Sequence, residues 1–126
     1  KLEAKWAKYL RFLQENGHIL SWQYESHRFL FEGVTRGPYS YLPDFLVFEK
    51  VDEAVWQECK GELDSQSASK FQRMAEQYPQ DEIELVMQRI PKKGNAANRL
   101  DRIQRKQWVR RVIDASKIFR QVKGLI

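Results

Sequence analysis

Three charged side chains lie in apolar parts of the sequence, where an isolated charge is costly. Asp44 stands within the apolar run 42–48, and Glu58 and Lys60 close the run that begins at Ala54. Charges in such surroundings cost free energy unless they are paired, hydrogen-bonded or bound to a metal ion. Two carboxylates near one ammonium group therefore indicate a chemical site. The alternative is a structural Glu58–Lys60 ion pair on a solvated strand face.

The elements that must hold these residues are two strands joined by a short turn. The expected bounds are 41–48 for the first strand, 51–53 for the turn and 54–60 for the second strand. Side chains alternate between faces along a strand, so Glu58 and Lys60 project to one face and Cys59 to the other. Antiparallel pairing of the two strands places Asp44 roughly opposite Glu58 or Lys60.

The rest of the sequence predicts the elements around this hairpin from apolar spacing and from residues that begin or end helices. They are a helix near 2–16, one or two strands within 19–32 broken near 25–28, a helix at 65–78 capped by Ser67 or Ser69, a strand at 83–87, a flexible loop at 91–98 and a basic helical segment at 99–123 with a break near Asp114. This order predicts an α/β fold with a mixed central sheet. We expect one domain over residues 1–126, with a core of about 1–90 and a basic helical tail.

Composition limits the class of protein. A chain of 126 residues with 42% hydrophobic content is long enough for one packed core without disulfides. The single cysteine, Cys59, forms no intramolecular disulfide, which favours a reducing, cytoplasmic compartment. No apolar stretch is long enough to span a membrane, and no signal-peptide pattern is present. The net charge of +5 favours a polyanionic partner such as nucleic acid.

The charged residues lie in a recognisable sequence context. The segments Leu42-Pro43-Asp44-Phe45-Leu46-Val47 and Glu58-Cys59-Lys60-Gly61 resemble the motif of the PD-(D/E)xK nuclease superfamily. That superfamily includes type II restriction enzymes and archaeal-type Holliday junction resolvases. The nearest likeness is to small phage-type endonucleases, and the order of elements over about 1–90 is similar to the restriction-endonuclease-like αβββαβ core. The Gln-x-x-x-Tyr pattern of RecB-like members is not found after the motif.

The resemblance implies a role for each residue of the motif. Asp44, Glu58 and the backbone carbonyl of Cys59 would bind Mg²⁺ or, as a substitute, Mn²⁺, since these hard ions favour oxygen ligands. Lys60 would orient the attacking water or stabilise the transition state of phosphodiester hydrolysis. Glu3, on the first helix, would be a fourth catalytic residue and metal ligand. The alternative for Glu3 is an ordinary acidic residue that complements the helix dipole.

Several basic residues are candidates for DNA contact. They are Lys70 and Arg73 on the second predicted helix, Lys92 and Lys93 in the predicted loop, and Arg99, Arg102, Arg105, Lys106 and Arg110 in the basic segment. The alternative for each is a solvated surface charge.

Together these features predict a Mg²⁺-dependent DNA endonuclease that acts as a homodimer on branched DNA, such as four-way junctions in DNA recombination. If the protein is phage-encoded, its compartment is the host cytoplasm. Two alternatives stay open. One is a sequence-specific, type II-like restriction endonuclease, and the other is a non-catalytic DNA-binding or assembly module with a nuclease fold.

Overall fold

A computed structural model describes all 126 residues, which form four helices and seven strands. In chain order these elements are α1 Leu2–Glu15, β1 Ser21–Tyr24, β2 Phe29–Leu30, β3 Ser40–Tyr41, β4 Phe45–Lys50, β5 Glu53–Lys60, α2 Ser65–Gln77, β6 Ile83–Met87, α3 Gly94–Arg105, β7 Arg111–Asp114 and α4 Ala115–Gln121. No helix among them has the length and apolar character needed to cross a bilayer.

Five of the strands form one mixed sheet in the order β1-β4-β5-β6-β7. β1, β4 and β5 pair antiparallel, whereas β5, β6 and β7 pair parallel. Parallel neighbours need a crossover connection, which α2 supplies between β5 and β6 and α3 supplies between β6 and β7. The predicted α/β class and mixed sheet are therefore confirmed. β2 and β3 form a separate two-stranded sheet.

Helices cover both faces of the five-stranded sheet. On one face, α2 and α3 contribute Phe71 and Ile103 to a core that includes Trp56. On the other face, α1 contributes Trp6 to a second core that includes Val55. Successive residues of β5 thus enter opposite cores, as strand geometry requires.

The early part of the chain follows the sequence expectations closely. α1, the β1–β2 break, β5 and β6 fall within a few residues of the predicted bounds. The predicted strand over 41–48 is instead divided, with Pro43 and Asp44 outside both β3 and β4. The predicted Ser67 or Ser69 cap of α2 is wrong, because the Asp64 carboxylate accepts the Ser67 N–H at 2.8 Å and caps the helix.

The basic segment differs most from its prediction. The expected loop at 91–98 ends early, since α3 begins at Gly94. The expected helical tail is interrupted by β7, which pairs with β6 and completes the sheet. Ile113 of β7 enters the core under α1, while Val112 packs against the core under α2 and α3. Apolar residues on both faces are typical of a parallel strand covered by helices, so the core extends well beyond residue 90.

Candidate active site

The charged residues singled out in the sequence meet at one end of the sheet. Asp44 immediately precedes β4, and Glu58 and Lys60 close β5. The Asp44 backbone N–H donates to Glu58 Oε1 at 3.3 Å, and Lys60 Nζ lies 3.6 Å from Glu58 Oε2. The hairpin therefore brings the three residues together as its predicted register requires. We call Glu3, Asp44, Glu58 and Lys60 the carboxylate site.

The local backbone explains why Asp44 turns toward β5. Continuing the β4–β5 register by two residues places Pro43 opposite Cys59. The Cys59 N–H donates to Asp44 Oδ2 at 2.8 Å, so this side chain replaces a strand carbonyl as acceptor. Proline has no N–H, so Pro43 cannot donate to the Cys59 carbonyl oxygen across this pairing.

Glu58 is a buried carboxylate, with 6% of its surface exposed. Burial raises its pKa above the ordinary value, although Lys60, the Tyr41 hydroxyl and the Asp44 N–H act in the opposite direction. The Tyr41 hydroxyl donates to Glu58 Oε1 at 2.9 Å and is itself fully buried. Tyr41 thus holds Glu58 in place from β3, a contact that the motif alone did not suggest.

Asp44 has the most perturbed carboxylate of the site. Burial, followed by the negative charge of Glu58, raises the pKa of Asp44 from 3.8 to about 8. The hydrogen bond from Cys59 N–H opposes this change, and the neighbouring Glu3 carboxyl adds to it. The charged form of Asp44 is therefore costly unless a cation comes close.

Glu3 reaches the site from the first turn of α1. Its Oε1 accepts a hydrogen bond from the Tyr24 hydroxyl at 3.3 Å, and its carboxyl group helps to raise the pKa of Asp44. Helix α1 lies against the opposite face of the sheet from Tyr41, so the site straddles the end of the sheet. The predicted fourth residue therefore lies beside Asp44.

The polar atoms of the site are mostly oxygens, the ligand type that hard divalent cations take. Three carboxylates gather here, and Lys60 is the one basic side chain within ion-pair distance of Asp44 or Glu58. No group of three or more His, Cys, Asp or Glu side chains converges on a single ligand position. Asp44, Glu58 and the Cys59 carbonyl nevertheless offer three oxygen donors with excess negative charge, which is the chemistry that Mg²⁺ prefers.

The Cys59 thiol points away from this chemistry. It packs in the core under α1, on the face opposite Glu58 and Lys60. Burial and the nearby carboxylates raise its pKa. A thiol held in its neutral form is a poor nucleophile, so only the backbone of Cys59 serves the site.

The predicted DNA contacts fall into different environments. Lys70 lies 6.0 Å from the centre of the Tyr41 ring, and its charge reaches Glu58. Arg73 instead donates to the backbone carbonyls of Pro38 and Arg36, so its guanidinium holds the loop before β3.

The remaining candidates divide between the two ends of the sheet. β6 runs from Ile83 to Met87, and Met87 pairs with Lys60 at the site end. Lys92 and Lys93 follow β6 and lie at this end with Arg99, whose side chain donates to the Leu63 carbonyl. α3 then runs to the other end over about 18 Å. Arg102 lies between the two ends and packs on Trp108. At the far end Arg105 pairs with Asp101, Lys106 ends α3, and Arg110 pairs with Glu49 and Glu84.

The sequence analysis missed a series of hydrogen bonds between buried polar side chains. Trp6 Nε1 donates to Gln57 Oε1 at 2.7 Å, and Gln57 Nε2 donates to Glu84 Oε1 at 2.9 Å. Arg111 Nε donates to Glu84 Oε2 at 2.6 Å. The available signal was Glu84, the one polar residue of β6, and Gln57 beside the apolar residues Val55 and Trp56 of β5. These hydrogen bonds join α1 to β5, β6 and β7.

Comparisons with known proteins add no relative to this picture. The chain matches no protein-family model, no curated protein and no solved structure. The geometry brings two carboxylates and an ammonium group together, with the ammonium group of Lys70 close by.

Proposed function

We propose that this protein is a metal-dependent DNA endonuclease. The observation that carries the proposal is the convergence of Asp44 and Glu58 at the ends of paired strands, with Lys60 as their neighbouring ammonium group. A purely structural ion pair needs one carboxylate for one lysine. Here a second, partly buried carboxylate, Asp44, and the Glu3 carboxylate supply negative charge that a divalent cation would balance.

Each residue of the site has a distinct task in this proposal. Asp44, Glu58 and the Cys59 carbonyl would hold Mg²⁺ or Mn²⁺, and Glu3 would be the third carboxylate near the ion. When bound, the ion would lower the pKa of water and neutralise charge on the phosphate under attack. Lys60, oriented by Glu58, donates to the attacking water or to a phosphoryl oxygen as negative charge develops.

The arrangement of elements supports a restriction-endonuclease-like core. α1, β1, β4, β5, α2 and β6 follow the αβββαβ order, with β2 and β3 inserted between the first two sheet strands. DNA is the favoured substrate because the net charge is +5 and Lys70, Lys92 and Lys93 lie at the same end as the site. Preference for branched DNA, a homodimeric state and a role in recombination stay predictions.

The decisive experiment compares cleavage of matched DNA substrates in Mg²⁺, Mn²⁺ and EDTA. The substrates are a duplex, a single strand, a flap and a four-way junction of related sequence. We expect metal-dependent cleavage by the wild type and a loss of roughly 100-fold or more with Lys60→Ala. Lys50→Ala, at an exposed lysine ending β4, is the matched control and should cleave normally.

The outcomes separate the alternatives. If no substrate is cut in either metal ion, the protein is no endonuclease, and retained DNA binding would favour the non-catalytic module. Cleavage of the duplex at one short sequence would favour a restriction enzyme. Selective cleavage of the junction would support the resolvase prediction, and equal cleavage of duplex and junction would refute it.

A further inference from the structure

An aromatic groove lies directly beside the carboxylate site. It has a volume of about 520 Å³ between the start of α1 and the sheet. We define the aromatic groove by its main walls, which are Trp22, Tyr24 and Phe45 from the sheet, Ala4 and Glu3 from α1, and Lys1. Its volume is in the range of pockets that bind small organic groups.

The groove and the carboxylate site share residues. Glu3 lines the groove and also lies beside Asp44. Phe45, a second residue of the groove, follows Asp44 in the chain. A group held in the groove would therefore belong to the same molecule as a phosphate at Asp44, or to its immediate neighbour. This continuity favours a part of the substrate itself as the occupant.

The aromatic walls are held open toward solvent. Tyr24 is 51% exposed, yet its hydroxyl donates to Glu3 Oε1 and its ring lies 5.4 Å from the Phe45 ring. Trp22 also contacts Phe45, with ring centres 5.8 Å apart. Tyr24 is therefore held by its hydroxyl and by its ring, while half of its surface is open to solvent.

β1 offers neighbouring aromatic rings to a flat group. Trp22 and Tyr24 are two residues apart on one strand, so they share a face, and both rings pack on the buried Phe45 ring. Lys1 adds a positive charge at the groove for the attached phosphate, while Glu3 and the Tyr24 hydroxyl offer polar atoms to a base edge.

We propose that the aromatic groove binds one unpaired nucleobase of the DNA strand whose phosphate lies at Asp44. The bases of an intact duplex are stacked and cannot offer both faces to protein side chains, whereas a base at a bulge, flap or junction can. The groove thereby selects DNA with an unpaired nucleotide next to the cleaved bond. This inference rests on the proposed nuclease function and names its substrate class.

The first test measures binding without cleavage, in EDTA. The probes are a labelled duplex, the same duplex with one bulged nucleotide, and the same bulge with its base removed. We expect the wild type to bind the bulged duplex about tenfold more tightly than the other two, since base–aromatic stacking contributes on this scale. Trp22→Ala should erase the preference and Trp22→Phe should retain most of it.

Tyr39→Ala is the matched control. Tyr39 is an exposed aromatic residue beside β3 that does not line the groove, and its loss should leave the preference unchanged. Tryptophan fluorescence gives a second test that does not depend on whether Trp22→Ala folds. The bulged duplex should change the tryptophan emission of the wild type and leave that of Trp22→Phe nearly constant.

Failure of this inference is distinguishable from failure of the proposed function. Equal binding of the three probes by the wild type, or an unaltered preference in Trp22→Ala, overturns the groove proposal even if the protein cuts DNA. A retained bulge preference without cleavage in Mg²⁺ or Mn²⁺ overturns the enzyme and keeps the groove. If Trp22→Ala abolishes a dimer in sedimentation without altering the bulge preference, the groove is an interface between copies and the base proposal is wrong.

Discussion

Replacing Asp44 with asparagine should stabilise the metal-free protein while removing its activity. Burial and the charge of Glu58 raise the pKa of Asp44 to about 8, so folding favours the protonated form. A carboxyl group with a raised folded-state pKa contributes stability below its unfolded pKa, and this contribution is lost as pH rises through the folded value. The stability of the wild type should therefore fall between about pH 4 and pH 8 through Asp44 alone.

The size of the effect follows from the two pKa values. The change from 3.8 to about 8 would correspond to roughly 6 kcal/mol at about 1.36 kcal/mol for each tenfold change in proton affinity. Asp44 is only partly buried, so solvent screening reduces this to about 2 kcal/mol. Asparagine keeps an oxygen that accepts the Cys59 N–H and carries no charge. For a chain of this length, about 2 kcal/mol raises Tm by roughly 8 °C.

The assay is thermal unfolding of wild type and Asp44→Asn in EDTA, from pH 4 to pH 9, repeated with Mg²⁺ or Mn²⁺. We expect the variant to gain stability over the wild type as pH rises and to show little difference at pH 4. Adding metal should stabilise the wild type by about 2.7 kcal/mol at 100 times its Kd and the variant much less. Equal pH dependence of the two proteins in EDTA would refute the account of Asp44 as a partly buried carboxyl group with a raised pKa.

Three further outcomes test other parts of the structure. Glu3→Gln should reduce metal-dependent cleavage while keeping the contact with the Tyr24 hydroxyl, as kinetics across metal concentrations would show. Gln57→Leu leaves the Trp6 N–H and the Glu84 carboxylate without their buried hydrogen-bond partner. It should lower the free energy of unfolding by about 2–4 kcal/mol in urea titrations. In the Lys92→Ala/Lys93→Ala double variant, the slope of log DNA affinity against log salt concentration should become less steep by up to about 2. Lys106→Ala should leave this slope unchanged.

The carboxylate site was predictable because it is local. Strand alternation alone places Glu58 and Lys60 on one face, and a short turn is sufficient to bring Asp44 to them. The observed contacts among the three follow from this hairpin. The prediction that Glu3 belongs to the site depended on the family resemblance as well. Nothing in the sequence around Glu3 indicates which end of the sheet α1 approaches.

The basic segment was harder to predict because its structure depends on distant partners. Arg111–Asp114 is too short to show a period, and its pairing with β6 involves residues more than twenty positions earlier. Lysines and arginines favour helices in isolation, and this preference concealed the strand. The division of basic residues between the two ends of the sheet follows from the direction of α3, which sequence spacing does not reveal.

Strand β5 links the chemistry to the packing by using its two faces for different tasks. Glu58 faces Tyr41 and forms the site, while the adjacent Gln57 faces α1 and receives the Trp6 N–H. Trp6 lies one turn after Glu3, so the bond that fixes Trp6 on Gln57 also fixes the distance of Glu3 from the end of the sheet. Disturbing Gln57 should therefore alter both stability and the position of a carboxylate that it never touches.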